Sequence, residues 1–361
     1  MQTRLRYLIR GAVWLGLALV TLELCARFDD WFTDGADPLG LYDQVAMVDF
    51  DSLGQRGRPF ARYRKWRHNS LGYRGPEVPA QGCRVLCIGS SETYGQAESE
   101  GMEWPRQVER RLNQAAGGAR FAVINTALAG ESLPTSRKRL PETVARTQPQ
   151  AAILYPSLAH YLTVPFLGEV RPPPPRRFVW RIADRADTVL KRNLPEPVQT
   201  ALKAWQTSRA ERGYAKIWSE MPPELRQAFR LDLENMVADL RARGIRPFLV
   251  THVNRFGPAV KPEERFMLSS WRRFYPMLKE EAFLPMEASM NDVIREVARQ
   301  TGTPLIDPVA RMPSGPDYFS DFVHFTNRGA AAFSSLVADG ILAQWPDADS
   351  ACDGPQAGVK R

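Results

Sequence analysis

The sequence predicts an α/β protein: a flavodoxin-like, doubly wound parallel sheet of about five strands, preceded by an N-terminal membrane helix. From about residue 84 onward, short apolar runs rich in β-forming residues alternate with segments of helical period, a pattern typical of parallel α/β sheets. An apolar stretch after three early arginines is typical of a signal or anchor sequence. With 361 residues, 24% of them charged and 44% hydrophobic, the chain has the composition of a globular protein that can bury a full core.

The N-terminal segment, residues 1–29, is interpreted as an uncleaved signal anchor. Residues 7–26 are mostly apolar and about long enough for the ~20 residues that span a bilayer, provided that Arg10 extends to the interface and Glu23 lies near one. Glu23 and Arg27 flank the candidate cleavage positions, which disfavours cleavage. A cleaved signal peptide and a buried soluble helix are the alternatives. The early arginines should stay cytoplasmic. We therefore expect a single-pass protein of a bacterial inner membrane, with the remaining chain in the periplasm.

The lead-in segment, residues 30–83, is strongly basic. Six arginines and lysines lie between residues 56 and 67 and alternate with Phe60, Tyr63 and Trp66, within a chain of net charge +8. One interpretation is a patch for anionic lipid headgroups or an acidic polysaccharide. The alternative is a solvated linker, with residues 30–68 irregular. Nucleic acid is not an expected partner for an exported domain.

The cysteines and histidines predict neither a disulfide framework nor a metal. Of the four cysteines, Cys87 is expected to be a small core residue, and a Cys83–Cys352 disulfide is geometrically possible without support from the pattern. The four histidines show no paired spacing with cysteine, so no metal and no other cofactor is expected. The sequence does not fix the oligomeric state.

The strands and helices of the predicted domain, residues 84–346, follow from the alternation of periods. The predicted strands are Val85–Ile88, Phe121–Asn125, Ala151–Tyr155, Pro247–Thr251 and Pro304–Ile306. The predicted helices are 103–115, 134–147, 224–243, 286–301 and 327–343. Five strands, each with a helix, suffice for a doubly wound sheet. The tail, residues 347–361, is expected to be disordered.

Two insertions interrupt the domain, at residues 165–223 and 255–283. The first contains a run of four prolines and an amphipathic segment at 196–212, and the second is aromatic. Both follow predicted strand ends, where open α/β sheets carry ligand-binding loops. They are therefore candidates for a substrate lid, with a packing or membrane-facing role as the alternative.

Two short stretches far apart in the chain carry the chemistry. Gly89-Ser90-Ser91-Glu92-Thr93-Tyr94-Gly95 follows the first predicted strand, and Asp321-Phe322-Val323-His324 lies more than 200 residues later. A serine is a weak nucleophile unless an imidazole takes its proton and a carboxylate orients that imidazole. An Asp three residues before a His can accept the Nδ1 proton within one turn. The helix after Ser91 offers backbone N–H groups to an oxyanion.

These residues resemble the GDSL-type, or SGNH, hydrolase family, over about His68 to Leu342. The first motif of that family matches Gly89-Ser90-Ser91-Glu92-Thr93, which implies Ser91 as nucleophile and places Ser90 where the family has Asp. The oxyanion-hole glycine of the second motif matches Gly130, and the Asp-x-x-His motif matches Asp321 and His324. The resemblance thus implies Ser91, His324 and Asp321 as the triad, and the amides of Ser91 and Gly130 as oxyanion donors.

The sequence departs from the family at the third motif. Ala159 falls where the family has an Asn that donates to the oxyanion. His160 or Ser157 could supply the missing polarity, or His160 could merely line an altered pocket. His252, after the fourth strand, is a candidate substrate contact, with a local loop hydrogen bond as the alternative.

The resemblance and the predicted location in the cell together imply a serine ester hydrolase or O-acyl (acetyl) transferase that acts on envelope or exported carbohydrate esters. A catalytically impaired carbohydrate-binding or polysaccharide-assembly protein is the alternative that Ala159 and the insertions suggest. Nucleotide binding is disfavoured, because the sequence has no Gly-x-Gly-x-x-Gly motif and no phosphate-loop lysine.

Overall fold

The computed structural model describes residues 2–34, 38–39, 47–163, 180–257 and 260–346. The chain begins with α1 (Gln2–Asp29), which continues as a short π-helical turn to Asp34. Residues Arg4–Thr33 form one helical stretch of 30 residues, and an 18-residue window of it has a mean hydropathy of 1.7 and is almost entirely exposed. By length and composition this stretch can cross a membrane, a test that signal sequences also pass.

The basic lead-in is more ordered than the sequence predicts. Strand β1 (Val48–Asp51) pairs antiparallel with β2 (Gly54–Gly57), and β3 (Arg62–Tyr63) with β4 (Trp66–Arg67). Tyr63 and Trp66 are buried in one cluster with Tyr94, whereas Arg62, Arg64 and Arg67 are exposed. The expectation of an irregular segment is therefore wrong for residues 48–67, because these alternating aromatic side chains have a cluster to pack on.

The central sheet has five parallel strands in the order β6-β5-β7-β8-β9. Their bounds are β5 (Cys83–Gly89), β6 (Phe121–Asn125), β7 (Ala151–Tyr155), β8 (Arg246–Val250) and β9 (Leu305–Ile306). The first strand of the domain lies between the second and the third, so the order reverses at β5, as in a flavodoxin-like sheet. The predicted doubly wound α/β fold is confirmed.

Helices cover both faces of this sheet. Their bounds are α2 (Ser91–Tyr94), α3 (Trp104–Ala115), α4 (Leu133–Thr147), α5 (Arg181–Asn193), α6 (Glu196–Glu211), α7 (Pro223–Arg241), α8 (Arg265–Phe274), α9 (Phe283–Thr301) and α10 (Asn327–Gln344). The five predicted helices correspond to α3, α4, α7, α9 and α10, each within three residues at both ends. α4, α7 and α9 pack on one face of the sheet, and α3 and α10 pack on the other.

The insertions contain three further helices. α5 and α6 belong to the first insertion, of which residues 164–179, including the four prolines, lie outside the described part of the chain. α6 matches the predicted amphipathic segment, whereas α5 was not predicted. α8 belongs to the second insertion and packs against α6.

The cysteines follow the sequence only in part. Cys87 is a free, fully buried core residue, as predicted, and Cys25 is a free, exposed thiol. Cys83 is disulfide-bonded, although the pattern gave no support for a bridge. Cys352 and the tail at 347–361 lie outside the described residues. The division into residues 1–29, 30–83 and 84–346 stays a prediction.

Candidate active site

Ser91, His324 and Asp321 form one hydrogen-bonded chain. The Ser91 Oγ lies 2.8 Å from His324 Nε2, and His324 Nδ1 lies 2.6 Å from Asp321 Oδ2. The structure thus brings together three side chains that the sequence separates by up to 233 residues. Both links are within hydrogen-bond reach, which is the arrangement of a nucleophile, a base and an orienting carboxylate.

Two glycines shape the turn that carries Ser91. β5 ends at Gly89, where an added Cβ would lie 2.5 Å from the carbonyl oxygen of Tyr155 and 2.1 Å from Thr93 Oγ1. At Gly95 the backbone has a φ of +86°, which ends the four-residue helix α2 in the left-handed region. Ser91 therefore stands at the amino end of α2, beyond the carboxyl end of β5.

The second loop is organised around the carboxylate of Asp321. Oδ1 of Asp321 accepts the backbone N–H groups of Val323 and His324 at 2.9 and 2.8 Å, which leaves Oδ2 for the imidazole. This is the folding back within one turn that the sequence predicts. Thr326 then begins α10, because its side chain accepts the N–H of Gly329 at 3.0 Å.

The pKa values of His324 and Asp321 move apart. Burial disfavours the imidazolium, but the hydrogen bond and charge of Asp321, with Glu92 and Glu98 nearby, outweigh it and raise the pKa of His324. Burial also opposes ionisation of Asp321, yet its bonds to His324 and Val323 lower its pKa. Asp321 is therefore ionised at neutral pH and favours a proton on His324.

A second network of buried charges lies directly behind Ser91. The Ser91 hydroxyl also donates to Glu92 Oε2 at 3.2 Å, and Glu92 Oε1 lies 3.4 Å from His252 Nε2. The other ring nitrogen of His252 lies 2.8 Å from Glu287 Oε2. Asn291 fixes the backbone of His252 by accepting its N–H at 2.7 Å and donating to its carbonyl at 2.8 Å.

In this second network the imidazole of His252 is protonated. Burial opposes the charge, but Glu287 and then Glu92 outweigh it and raise the pKa of His252 to about 10. Burial likewise opposes ionisation of Glu92, while the hydrogen bond and charge of His252 hold the pKa of Glu92 well below its usual range. An imidazolium between two carboxylates therefore lies beneath the serine at neutral pH.

Glu98 is a third buried acid near the site, and its state is the opposite. Burial raises its pKa to about 8, against the attraction of Arg74. Arg74 itself donates to the carbonyl oxygens of Tyr94 and Glu98, at 2.9 and 3.1 Å. At neutral pH the carboxyl of Glu98 is therefore mostly uncharged, whereas Glu92 carries a full charge.

A cavity of about 420 Å³ opens beside the Ser91–His324–Asp321 chain. Ser157, Ala159 and His160 line it from the turn that follows β7. Its aromatic wall comes from α8 and the residues after it: Trp271, Phe274 and Tyr275. These three residues belong to the second insertion, whose role as a substrate lid stays a prediction.

The remaining predicted site residues fall in different places. His252 lines the cavity, but Glu92 and Glu287 occupy both ring nitrogens, which favours the local hydrogen-bond alternative over a substrate contact. Gly130 lies in the exposed loop after β6 with a φ of +79° and is not among the residues that line the cavity. Its role as an oxyanion donor stays a prediction.

Sequence reasoning missed the buried acids. Glu92 sits inside the matched motif, and Glu287 sits on the buried face of α9. Full burial of Glu is rare unless it is paired, so a Glu in an otherwise apolar helical stripe was the available signal. Trp271, which stacks between Phe256 and Phe322, was seen only as an aromatic residue of the insertion.

No protein-family model matches the sequence, and no curated protein matches it significantly. Solved structures do match. A lipase/acylhydrolase from Enterococcus faecalis is 16% identical, with a TM-score of 0.43 over 73% of this chain and 96% of its own. An acetylxylan esterase from Geobacillus stearothermophilus, solved as a catalytic mutant, is 13% identical, with a TM-score of 0.43 over 73% and 96%.

A GDSL-like lipase from Bacteroides thetaiotaomicron is 14% identical, with a TM-score of 0.39 over 72% of this chain and 88% of its own. Identities and TM-scores this low mark remote likenesses, so the function is inferred from the residues of this chain.

Proposed function

We propose that this protein is a serine ester hydrolase of the SGNH type, acting on O-acyl, most naturally O-acetyl, esters. The hydrogen-bonded chain Ser91–His324–Asp321 beside an open cavity carries the proposal. Its geometry has the nucleophile, the base and the orienting carboxylate in reach of one another, with room for a substrate next to the serine.

The proposed reaction has two halves. Ser91 Oγ attacks the ester carbonyl while His324 Nε2 takes the hydroxyl proton, and the tetrahedral oxyanion is stabilised by the amides of Ser91 and Gly130. The imidazolium then gives its proton to the leaving alcohol, which leaves an acyl group on Ser91. Water, activated by the same imidazole, hydrolyses this acyl-enzyme; a sugar hydroxyl in place of water gives acyl transfer.

The proposed substrate is an acylated carbohydrate of the cell envelope. A long apolar helix before the domain supports an anchor in the bacterial inner membrane, with the cavity on the periplasmic side. A disulfide at Cys83 fits an oxidising compartment. Protease added to intact spheroplasts should remove the C-terminal part of the chain, and full protection would contradict this orientation.

The enzymatic proposal is tested with a chromogenic acetyl ester. We expect Ser91→Ala to lower the turnover by ~10⁴-fold or more, as for other serine nucleophiles. The matched control is Ser90→Ala, because Ser90 is the neighbouring buried serine, and its hydroxyl has no hydrogen-bond partner within the described part of the chain. This variant should keep its activity. A fluorophosphonate should label the wild type and Ser90→Ala but not Ser91→Ala. Equal turnover in all three proteins, across several acyl donors, would contradict the proposal.

Ala159 favours a second candidate function, a carbohydrate-binding or polysaccharide-assembly protein with impaired chemistry. Its methyl group lines the cavity where the resembled family has an oxyanion donor. Loss of one such donor costs ~10²–10³ in turnover elsewhere. This candidate predicts polysaccharide affinity that survives Ser91→Ala, together with no fluorophosphonate adduct in the wild type.

A further inference from the structure

Helix α6 exposes its apolar face and packs its polar face against the protein, which is the reverse of a surface helix in a soluble domain. Val198, Leu202 and Trp205 repeat at i, i+4 and i+7, which places them on one face, yet each is between 36% and 55% exposed. The opposite face, which packs on α8, is polar. There Lys203 donates to Ser270 and lies 3.2 Å from the centre of an aromatic ring of α8. The apolar stripe of α6 is thus left uncovered.

Helix α5 repeats this pattern. Val189 and Leu190 are 61% and 62% exposed, near its carboxyl end. Its first residue, Arg181, is by contrast buried. Two successive helices therefore expose apolar side chains and bury charged or polar ones. A surface helix of a globular domain has the reverse arrangement. Both stripes therefore indicate that something other than this domain covers them.

The buried end of α5 is fastened to the end of the apolar helix α1. Glu23 of α1 accepts the first backbone N–H groups of α5, those of Arg181 and Ile182, at 3.0 and 3.1 Å. Arg181 also donates to Asp30 at 2.5 Å, and Arg185 donates to the same carboxylate at 2.7 Å. A carboxylate at a helix N-terminus satisfies orphan donors and complements the helix dipole.

These contacts indicate what covers the stripes. Near the end of α1, Phe28, Trp31 and Phe32 are 50% to 74% exposed, and Trp180, just before α5, is 50% exposed. Exposed aromatic residues at the end of a spanning helix are typical of the boundary between acyl chains and headgroups. A helix of 13 residues reaches only ~20 Å from its fastened end. The stripes therefore lie near the level at which α1 leaves the bilayer.

We propose that the apolar stripes of α5 and α6 lie in the headgroup layer of the same bilayer that α1 crosses. This inference rests on the proposed membrane anchoring and adds a second, lateral contact with the lipid. An amphipathic helix binds a bilayer in this way, with its apolar face at the acyl boundary and its polar face outward. Here the outward, polar face of α6 is the one that packs on α8.

The lateral contact would set the active site at the membrane surface. α6 packs on α8, with Lys203 and Glu211 of α6 contacting Ser270 and Arg272 of α8. The next residue along α8, Trp271, lines the cavity beside the serine. Lipid, α6, α8 and the cavity thus follow one another as consecutive layers, so an ester at the bilayer surface lies close to the candidate triad.

The test uses the full-length protein in vesicles of phosphatidylethanolamine and phosphatidylglycerol. Single nitroxide labels are placed at Leu190→Cys or Leu202→Cys, in a Cys25→Ser background, since the other free thiol of the described residues, Cys87, is buried. The control label is Thr200→Cys, an exposed position of α6 that points away from the stripe. Collisional relaxation by oxygen reports lipid, and relaxation by a water-soluble nickel chelate reports water.

We expect the labels at 190 and 202 to be relaxed several-fold more by oxygen than by the chelate, and the label at 200 to show the reverse. A label at Leu17→Cys, within α1, separates the two proposals. If position 17 reports lipid while 190 and 202 report water, the lateral contact is wrong and the anchor stands. If position 17 also reports water, the anchor is wrong and the inference falls with it. Protection of 202 from both reagents would instead indicate a protein partner and overturn the proposal.

Discussion

The hydroxyl of Ser91 has two acceptors, and they differ in charge and in role. The nearer one is the imidazole of His324 at 2.8 Å, and the farther one is the carboxylate of Glu92 at 3.2 Å. His252 keeps Glu92 ionised, so a negative charge stands close to the imidazole that must accept the serine proton. This charge stabilises the imidazolium and makes His324 a stronger base.

Removing that charge should shift the pH profile of the reaction. In Glu92→Gln the imidazolium of His324 loses a stabilising neighbour, so the pKa of His324 falls. Because His324 acts as a base only when it is neutral, the acid limb of kcat/KM against pH should move to lower pH, by up to about one unit. The profile is measured with a soluble acetyl ester.

Glu98→Gln is the matched control for this shift. Its carboxyl is also buried near His324, but burial raises its pKa to about 8, so it is mostly uncharged where the acid limb lies. The acid limb should therefore move less than in Glu92→Gln. Equal shifts in both variants, or an upward shift in Glu92→Gln, would contradict a specific effect of the Glu92 charge.

Ala159 allows the missing oxyanion donor to be restored. Ala159→Asn places an amide on a residue that lines the cavity beside the candidate triad. If the chemistry is limited by the lost donor, kcat for an acetyl ester should rise by ~10-fold or more while KM changes little. Ala159→Leu, of similar size but without a donor, should not raise kcat. A decrease in kcat with Asn, in a folded protein, would show that the site is built for a different geometry.

At this scale the sequence predicted the three side chains of the candidate triad but not their surroundings. Ser91, Asp321 and His324 lie in short motifs whose chemistry is local, so their types and order were enough. The pairing of Glu92, His252 and Glu287 depends on three elements that meet only in the folded sheet. No spacing along the chain predicts that contact, and the fold alone brings it about.

Among the elements, α6 gives the most direct test of the proposed lipid contact. Trp205→Glu places a charge in its exposed apolar stripe, where it cannot disturb packing with α8. Hydrolysis of an acyl ester embedded in vesicles should fall by ~10-fold, because a charge in the acyl boundary is unfavourable. Hydrolysis of a water-soluble ester should not change.

Thr200→Glu is the comparison for that experiment, since it adds the same charge on another exposed face of α6. Both rates should match those of the wild type. A parallel loss on the soluble ester in Trp205→Glu would point to damage to the fold instead of the membrane contact.

The sequence predicted the elements of the sheet well and the additions poorly. The apolar runs of β5, β6, β7 and β8 are buried on both faces, so each stands out against its polar flanks. The strands of the lead-in are two to four residues long and carry arginines, too short to show a period. α5 was missed because its apolar residues are few and face away from the core, which an amphipathic pattern does not reveal.

For the whole molecule, the buried carboxyl of Glu98 makes stability depend on pH in a defined direction. Burial raises the folded-state pKa of Glu98 from its ordinary 4.5 to about 8. Below pH 4.5 the burial of Glu98 does not lower the free energy of unfolding, because the carboxyl is protonated in both the folded and the unfolded state. As pH rises from 4.5 to 8 the unfolded chain ionises while the folded chain keeps the proton, so the free energy of unfolding falls.

Glu98→Gln should therefore raise the Tm relative to the wild type at pH 8 but not at pH 4.5. The expected gain in the free energy of unfolding at pH 8 is about 1–3 kcal/mol. Thermal unfolding followed by circular dichroism at both values measures it. The exposed Glu100→Gln, which loses a surface ion pair with Arg67, should show no such gain. An equal difference at both pH values would contradict the linkage.

The hydrogen bonds of Glu23 and Asp30 to the start of α5 limit how the domain can move relative to α1. A domain joined to its membrane helix by a flexible linker could reach a wide range of positions above the membrane. If α1 crosses the membrane as proposed, its contacts with α5 hold the domain, with the cavity beside Ser91, at one height and one tilt. An enzyme held in this way would modify only the polymer segments that pass at that height. The length of an envelope polymer, more than its abundance, would then decide which of its units are modified.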